Sequence, residues 1–483
     1  MKPLNPEVGT ATAANPPLVA TARWALASLS LSMLMPSLDT SIANVGLPTL
    51  AVAFSAPFQQ VQWIVLAYLL TITALIVSVG RLGDLVGRRR LLLAGIVVFT
   101  VASLLCGLAP TLISLIVARA LQGLGAAIML ALTIALVGET VPKARTGSAM
   151  GLLGTMSAIG TTLGPSLGGL LIAGLGWRSI FLVNLPLGLL NFLLAARYLP
   201  VDQPKDQPRR QRFDHAGTLL LALTLAAYAL AMTMGRGHFG PLNIALLLVG
   251  ALGAGLFVLV ENKVAAPLMR LAMFRDPAFS ASLAMNVLVP TVMMATLVVG
   301  PFYLSRALGL SAALVGGVMS IGPLISALSG VLAGRVVDRW GASAVVMAGL
   351  GEMALGALAL ATLPTLFGLA GYIVAIAVLT PGYQLFQAAN NTMVMLEVPP
   401  DQRGVVSGML SLSRNLGLIS GASVMGAIFA MATATSDITA AHPAAVATGM
   451  QLTFAVAAGL IVVAIAIALA SRALVRHSGL SAQ

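Results

Sequence analysis

Gly80-Arg81-Leu82-Gly83-Asp84-Leu85-Val86-Gly87-Arg88 returns in the second half of the chain as Gly334-Arg335-Val336-Val337-Asp338-Arg339-Trp340-Gly341, at an offset of 254 residues. Each copy of Gly-Arg-x-x-Asp-x-x-Gly joins two long apolar runs. A second pair, Glu139-x-x-Pro142-x-x-Arg145 and Glu397-x-x-Pro400-x-x-Arg403, recurs at an offset of 258, and each copy precedes a glycine-rich run. A single match is what two unrelated basic turns produce. Two matches at nearly one offset, with shared Asp and Gly positions, favour internal duplication. Two such halves, related by an axis along the membrane normal, suit alternating access about a central site.

The surrounding composition says what the repeated unit is made of. Of 483 residues, 59% are hydrophobic and 8% charged, against roughly a quarter charged in a soluble domain. A spanning helix takes about 20 apolar residues. The apolar runs are continuous, not alternating as in a β-barrel, so the fold class is an all-α polytopic membrane protein. The spans read at about 24–50, 62–80, 91–110, 112–137, 147–173, 178–197, 215–235, 241–261, 278–304, 312–334, 342–362, 366–394, 405–430 and 449–472. These fourteen divide into six, two and six: a tail at 1–22, a six-helix bundle at 23–199, a basic linker with an inserted two-helix hairpin at 200–265, a second bundle at 266–475 and a tail at 476–483. The hairpin is expected to lie at the periphery, outside the translocation path.

Charge placement tests the count independently. With the N-terminus inside, 21 of the 26 basic residues fall on the cytoplasmic side. They are Lys2, Arg23, Arg81, Arg88, Arg89, Arg90, Lys143, Arg145, Arg197, Lys205, Arg209, Arg210, Arg212, Lys263, Arg270, Arg275, Arg335, Arg339, Arg403, Arg472 and Arg476. Arg178, Arg236 and Arg306 fall outside, and Arg119 and Arg414 lie within spans. This is the positive-inside bias. It accounts for the net charge of +12 without a nucleic-acid partner. A single cysteine, Cys106, excludes disulfides within the chain, and no HExxH or CxxC marks a metal site. No GxxxxGK[ST] marks a nucleotide site. No cofactor is expected.

The repeated loop at Gly80–Arg90 resembles the signature between helices 2 and 3 of the major facilitator superfamily, with its second-half copy at Gly334–Gly341. Leu115-Ile-Val-Ala-Arg119-Ala-Leu-Gln122-Gly123 resembles that family's helix-4 signature, with its buried arginine. Gly160-Thr-Thr-Leu-Gly164-Pro165-Ser-Leu-Gly168-Gly169 resembles the helix-5 signature of exporters. Leu38-Asp39-Thr40-Ser41-Ile42-Ala43-Asn44-Val45-Gly46-Leu47-Pro48 resembles the helix-1 signature of the fourteen-helix drug:proton antiporters. The resemblance implies gating roles for Arg81, Asp84, Arg88, Arg335 and Asp338 at the loops. It also implies a seal or hinge between the halves at Gly164, Pro165 and Gly168. Ordinary small-residue helix packing explains those glycines as well, and a topogenic turn explains the loops.

Charge at membrane depth is costly and nominates function. Asp39 and Arg119 fall at comparable depths, with Gln122 one turn beyond Arg119. Asp39 is the leading proton-accepting or cation-sensing carboxylate, or else a structural carboxylate beside Thr40 and Asn44. Arg119 with Gln122 is the proton-relay or orienting group. Glu352 and Arg414 share a second depth, as a further proton or cation site or as partners of each other. Asn44, Tyr68, Asn286, Tyr303, Gln384, Gln387 and Asn391 are candidates for the cavity wall, with Asn390 among the polar residues of the same span.

The expected function is proton-coupled secondary efflux of lipophilic, cationic drugs or biocides. The alternative is a carrier of another solute (a sugar, amino acid or organic anion) in either direction. No nucleophile is arranged beside a base, so an enzyme is not expected. The expected partners are a small-molecule substrate, protons and membrane lipid, with the chain acting as a monomer in a bacterial inner membrane and both termini cytoplasmic. An anion carrier would want basic residues facing the cavity, which Arg119 and Arg414 keep open; both arginines paired to carboxylates, with a free acid left in an apolar cavity, would favour cations.

Overall fold

The computed structural model describes residues 16–56, 58–202, 214–233, 240–264, 267–433 and 442–480. Lys2, Lys205, Arg209, Arg210, Arg212 and Arg236 lie outside them, as do the side chains of Pro165 and Arg476.

The described residues form helices and no strand: α1 (Pro16–Ala53), α2 (Phe58–Val61), α3 (Trp63–Val86), α4 (Arg88–Leu108), α5 (Leu112–Thr140), α6 (Thr146–Leu175), α7 (Ser179–Leu182) and α8 (Asn184–Tyr198). Then come α9 (His215–Thr233), α10 (Pro241–Glu261), α11 (Pro277–Phe302), α12 (Ala312–Met319), α13 (Ile321–Trp340), α14 (Ala342–Glu397), α15 (Arg403–Thr433) and α16 (Pro443–Leu480). Eleven helices are long and apolar enough to cross a membrane, or up to 12 if the pair Lys143–Gly164 and Ser166–Leu175, bent by 43°, is one span. The protein is a multi-pass membrane protein.

One of those eleven, α14, runs for 56 residues and breaks at Gly368, where φ is 55° and ψ −127°. Only glycine adopts that conformation without strain. The chain folds back there on itself: Gly371 lies against the Leu363 carbonyl, Gly356 against Leu379, and Gly349 against Gly382 and Phe386. The two arms are therefore antiparallel.

The repeated motif has a local reason. Gly87 (φ 113°) and Gly341 (φ 83°) sit at the turns ending α3 and α13, and their N–H groups close those helices on Gly83 O and Val337 O. The chain reverses in two residues at each copy, which an L side chain would resist.

Packing follows the repeat. In the first half α1 packs on α6 and α8, and α5 on α3 and α4; in the second, α11 packs on α15 and α16, and α14 on α13 and α16. Between the halves, α3 meets α15 and α6 meets α13. By the sequence offsets α3 corresponds to α13 and α6 to α15, so the two seams are one seam built twice with the roles exchanged. Glycines set their closeness: Gly80 abuts Gly404, Gly151 abuts Gly330, and Gly334 abuts Gly147, backbone to backbone. In lipid such close approach is what holds helices together.

The inserted helices α9 and α10 pair with each other, and α9 packs on both α3 and α15. Tyr228 Oη and Ser420 Oγ hydrogen-bond across that contact. α10 turns Leu242, Leu248, Leu252, Leu256 and Leu259 outward.

A Cβ at position 151 has no room beside the Gly330 carbonyl. Gly151→Leu is expected to part α6 from α13 and expose Thr155, which is 6% accessible beside Gly330. Labelling of a Thr155→Cys reporter by a thiol reagent should speed up several-fold; an unchanged rate would mean that the glycines do not hold this seam.

Candidate functional site

Three groups of polar residues lie inside the apolar body. The first joins α1, α5 and α8. Asp39 and Arg119 are 1% and 0% exposed, and Arg119 Nη1 donates to Asp39 Oδ2 in a buried ion pair. Asp39 Oδ1 accepts from Gln122 Nε2 (2.8 Å) and from Asn184 Nδ2 (2.8 Å). Arg119 Nη1 also donates to Gln122 Oε1 (2.6 Å), and its Nε to the Ile64 carbonyl (3.0 Å). The guanidinium lies 4.2 Å from the centroid of the Tyr68 ring, a favourable cation–π geometry when desolvated. Ser103 Oγ accepts a second bond from Gln122 Nε2 (2.8 Å). The carboxylate is thus saturated by three residues on two other helices, while Arg119 Nη2 keeps an unpartnered hydrogen-bond donor.

The second group is the pair of seams. Asp84 accepts from the backbone N–H groups of Gly404 (2.9 Å) and Val405 (3.0 Å), in the first turn of α15. Asp338 accepts from the N–H groups of Gly147 (2.8 Å) and Ser148 (2.9 Å), in the first turn of α6, and from the Ser148 hydroxyl. Each acid of the repeated motif therefore caps a helix of the opposite half. A helix N-terminus presents free N–H donors and partial positive charge, so a carboxylate is stabilised there. The first seam carries a further latch. Arg88 donates to Asp84 (3.0 and 2.6 Å), to Glu139 and to the Pro400 carbonyl, while Arg403 Nη1 donates to the Gly138 carbonyl (3.1 Å). The second seam has no such guanidinium, because Ala342 stands where the repeat would put it. Arg335 is exposed.

Gly164 and Gly168 face α1: a Cβ at 164 would strike Ser41, and one at 168 would touch Ile42. This stretch closes a contact within the first half, and the contacts between halves fall to Gly147 and Gly151 of the same helix.

The third group lies in the second half. Asn286 Nδ2 donates to the Leu410 carbonyl (2.7 Å) and Ser413 Oγ (2.8 Å), Ser282 Oγ donates to Asn390 Oδ1 (2.6 Å), and Gln384 Nε2 donates to Ser326 Oγ. Gln387, Asn391 and Arg414 are partly exposed. Tyr68 and Tyr303 are buried, their hydroxyls donating to the Pro36 and Pro364 carbonyls, so both are core residues. Asn44 is exposed and bonds only within its own helix, to the Thr40 carbonyl. Glu352 and Arg414 share a depth but not a contact. Glu352 is half-buried at the boundary of α14's two faces, between exposed Ala348 and Leu355 on one side and Gly349 and Gly356, which meet the second arm, on the other.

Sequence reasoning named Asp39, Arg119 and Gln122, and it missed Asn184 and Ser103, which complete their cage. The available signal was a pair of amides, Asn184 and Asn191, in the apolar run 178–197. It also treated Arg403 and Glu139 as marks of the repeat, whereas both are contacts of the first seam. Among the described residues no group of His, Cys, Asp and Glu could hold a metal ion.

Removing one member of a buried pair costs about 3–5 kcal/mol, because the other charge is left uncompensated. Asp39→Asn is expected to lower the thermal unfolding midpoint more than the double variant Asp39→Asn/Arg119→Gln. Equal losses for the two would mean that the pair contributes nothing as a pair.

Residues 29–422 match the model of the Major Facilitator Superfamily. The chain is 35% identical over 410 residues to the multidrug resistance protein Stp of Mycobacterium tuberculosis, covering 84% of this chain and 75% of that one. It is 32% identical over 409 residues to the riboflavin transporter RibZ of Clostridioides difficile, covering 84% and 88%. Among solved structures, the human organic anion transporter MFSD10 superposes with a TM-score of 0.65 at 16% identity, over 94% of this chain and 100% of that one, which speaks for the fold. With its all-helical body and a family match over most of its length, the chain belongs to the Major Facilitator Superfamily and is a membrane transporter of that family.

Proposed function

We propose that the protein is a proton-coupled secondary exporter of lipophilic small molecules that works by alternating access. The observation that carries this reading is the Asp39–Arg119 pair: a carboxylate and a guanidinium, both fully buried at membrane depth, with the carboxylate held by three side chains. A proton arriving at Asp39 would remove the charge that holds Arg119 and leave a buried cation uncompensated. That is the kind of local change able to bias one arrangement of the halves over another. The inter-half hydrogen bonds of the six-helix units, among the described residues, lie towards the basic loops, at Asp84, Arg88, Ala131, Gly138, Gly147 and Ser148. This suits a carrier closed at that end and open at the other.

The proposed body has fourteen spans in two six-helix bundles and an inserted hairpin. Two observations support that count over twelve: α14 folds back at Gly368 into two arms, and α1 extends over 38 residues although Asp39 and its serines dilute its apolar character. The basic loops support a reading with that end in the cytoplasm of a bacterial inner membrane, the chain acting as a monomer. The relatives named for multidrug resistance support export; the one named for riboflavin supports a carrier of another solute. A cationic cargo would need a free acid in the cavity. Asp39 is bound to Arg119, and Glu352 is half-buried at the edge of the packed face of α14, so charge does not single out a cation.

Purified protein in liposomes with an imposed pH gradient tests the proposal, using lipophilic fluorescent probes and the native chain beside Asp39→Asn. The native chain should move probe against its concentration gradient while protons run down theirs, and Asp39→Asn should lose the gradient-driven part. Full retention of driven transport by the variant would remove Asp39 from the coupling.

A further inference from the structure

Arg414 is a cation without a carboxylate. It sits on α15 about 16 Å along the helix from Arg403, at 1.5 Å per residue, which places it well inside the membrane. The ion pairs among the described residues are Arg88 with Asp84, Arg88 with Glu139, and Arg119 with Asp39. Arg414 belongs to none, and its Nε is buried with no hydrogen-bond partner. Of the two acids at membrane depth, Asp39 is bound by Arg119, Gln122 and Asn184, and Glu352 forms no ion pair with Arg414.

The helical register puts Arg414 between a contact with the first half and one with α11: Gly421, seven residues later on the same stripe, packs on Thr291 of α11. Arg414 shares a stripe of α15 with Ser407, seven residues earlier, whose hydroxyl donates to the Ala131 carbonyl of the first half. It also lies one turn beyond Leu410, which faces α11. Partial exposure of the side chain agrees with a wall position between the halves.

Amides of α11 and of the second arm of α14 hydrogen-bond to neighbouring helices. Asn286 ties α11 to Leu410 and Ser413, next to Arg414, and Ser282, one turn before Asn286, bonds Asn390 of the second arm of α14. Each amide keeps a buried polar atom with no partner: Asn286 Oδ1, Asn390 Nδ2 and Gln387 Oε1. Buried polar atoms without partners are costly and rare. Four of them, including a guanidinium nitrogen, fall on α11, the second arm of α14 and α15.

We propose that Arg414, with Asn286, Gln387 and Asn390, forms a subsite for a planar anionic group of the cargo, such as a carboxylate, so that the transported compounds are lipophilic organic acids. The guanidinium fork matches a carboxylate edge with two parallel N–H donors, which a point charge does not. The amides supply donors and acceptors around it, and an amine cargo would meet the positive charge of Arg414 with no acid to offset it. The cargo thereby supplies the charge that the protein withholds at this depth. The assignment rests on the chain being a transporter and narrows what it carries.

The test compares two probes on one skeleton, 8-(dansylamino)octanoate and its primary amide, for binding to the purified full chain and for flux in liposomes. The native chain should bind and move the carboxylate about tenfold or more in preference to the amide, the expectation for a charge-assisted hydrogen bond. Arg414→Gln should abolish that preference and Arg414→Lys should restore part of it, since Lys keeps the charge and loses the fork. Flux of the amide at least equal to that of the carboxylate in the native chain would overturn the subsite while leaving transport intact. A preference that survives in folded Arg414→Gln would overturn it as well. Movement of neither probe under any gradient would overturn the transport reading, and this assignment with it.

Discussion

A carboxylate of one half accepting backbone N–H groups from a helix of the other is the interaction on which the arrangement depends. Asp84 does this for α15 and Asp338 for α6. In lipid the hydrophobic effect does not drive helices together, so two halves need close backbone packing and polar contacts to stay closed. The capped helix ends supply the polar contacts. The glycine pairs Gly80–Gly404, Gly151–Gly330 and Gly147–Gly334 supply the packing. Both devices sit at the basic-loop end, where helix termini would otherwise leave N–H donors without partners. Because the contacts are backbone-to-carboxylate, they form only when the two halves are in register; a shift of one turn would lose both bonds at each seam.

The two seams share one plan and differ in strength. Arg88 adds Glu139 and the Pro400 carbonyl to the first, whereas Ala342 gives the second nothing comparable. α9 also packs across the first, bonding Ser420 through Tyr228. The first seam is the tighter latch and the second the simpler one. Deeper in the membrane, the halves differ in charge logic. The first half neutralises its own arginine with Asp39; the second leaves Arg414 to an outside partner.

Much of this was legible in the sequence, and the limits were physical. The Asp-x-x-Gly spacing marked both acids, with the glycine at the turn and the acid one turn before it. The spacing did not say what each acid would cap, since Asp84 and Gly404 are 320 residues apart in the chain. Counting residues from the span ends put Asp39 level with Arg119, and the two meet. The same count put Glu352 level with Arg414, and they do not, because depth is one coordinate and rotation about the helix is another. Rotation was set by Gly349 and Gly356 packing on the second arm of α14, a contact created by the fold-back at Gly368. Gly164 and Gly168 announced a close approach correctly, but small residues do not name the neighbour they admit. Here it is α1 of the same half.

The central claim is that the crossed caps hold the basic-loop end shut. Spin labels at Val86 and Asp401 report on the α3–α15 seam, and labels at Arg145 and Arg339 on the α6–α13 seam; the native Cys106 is buried. Distances measured by electron–electron double resonance in the native chain should be short and narrow at both pairs. The variant Asp84→Asn/Asp338→Asn should shift both distributions to longer distances together. Distributions that stay unchanged in the folded double variant would contradict the account.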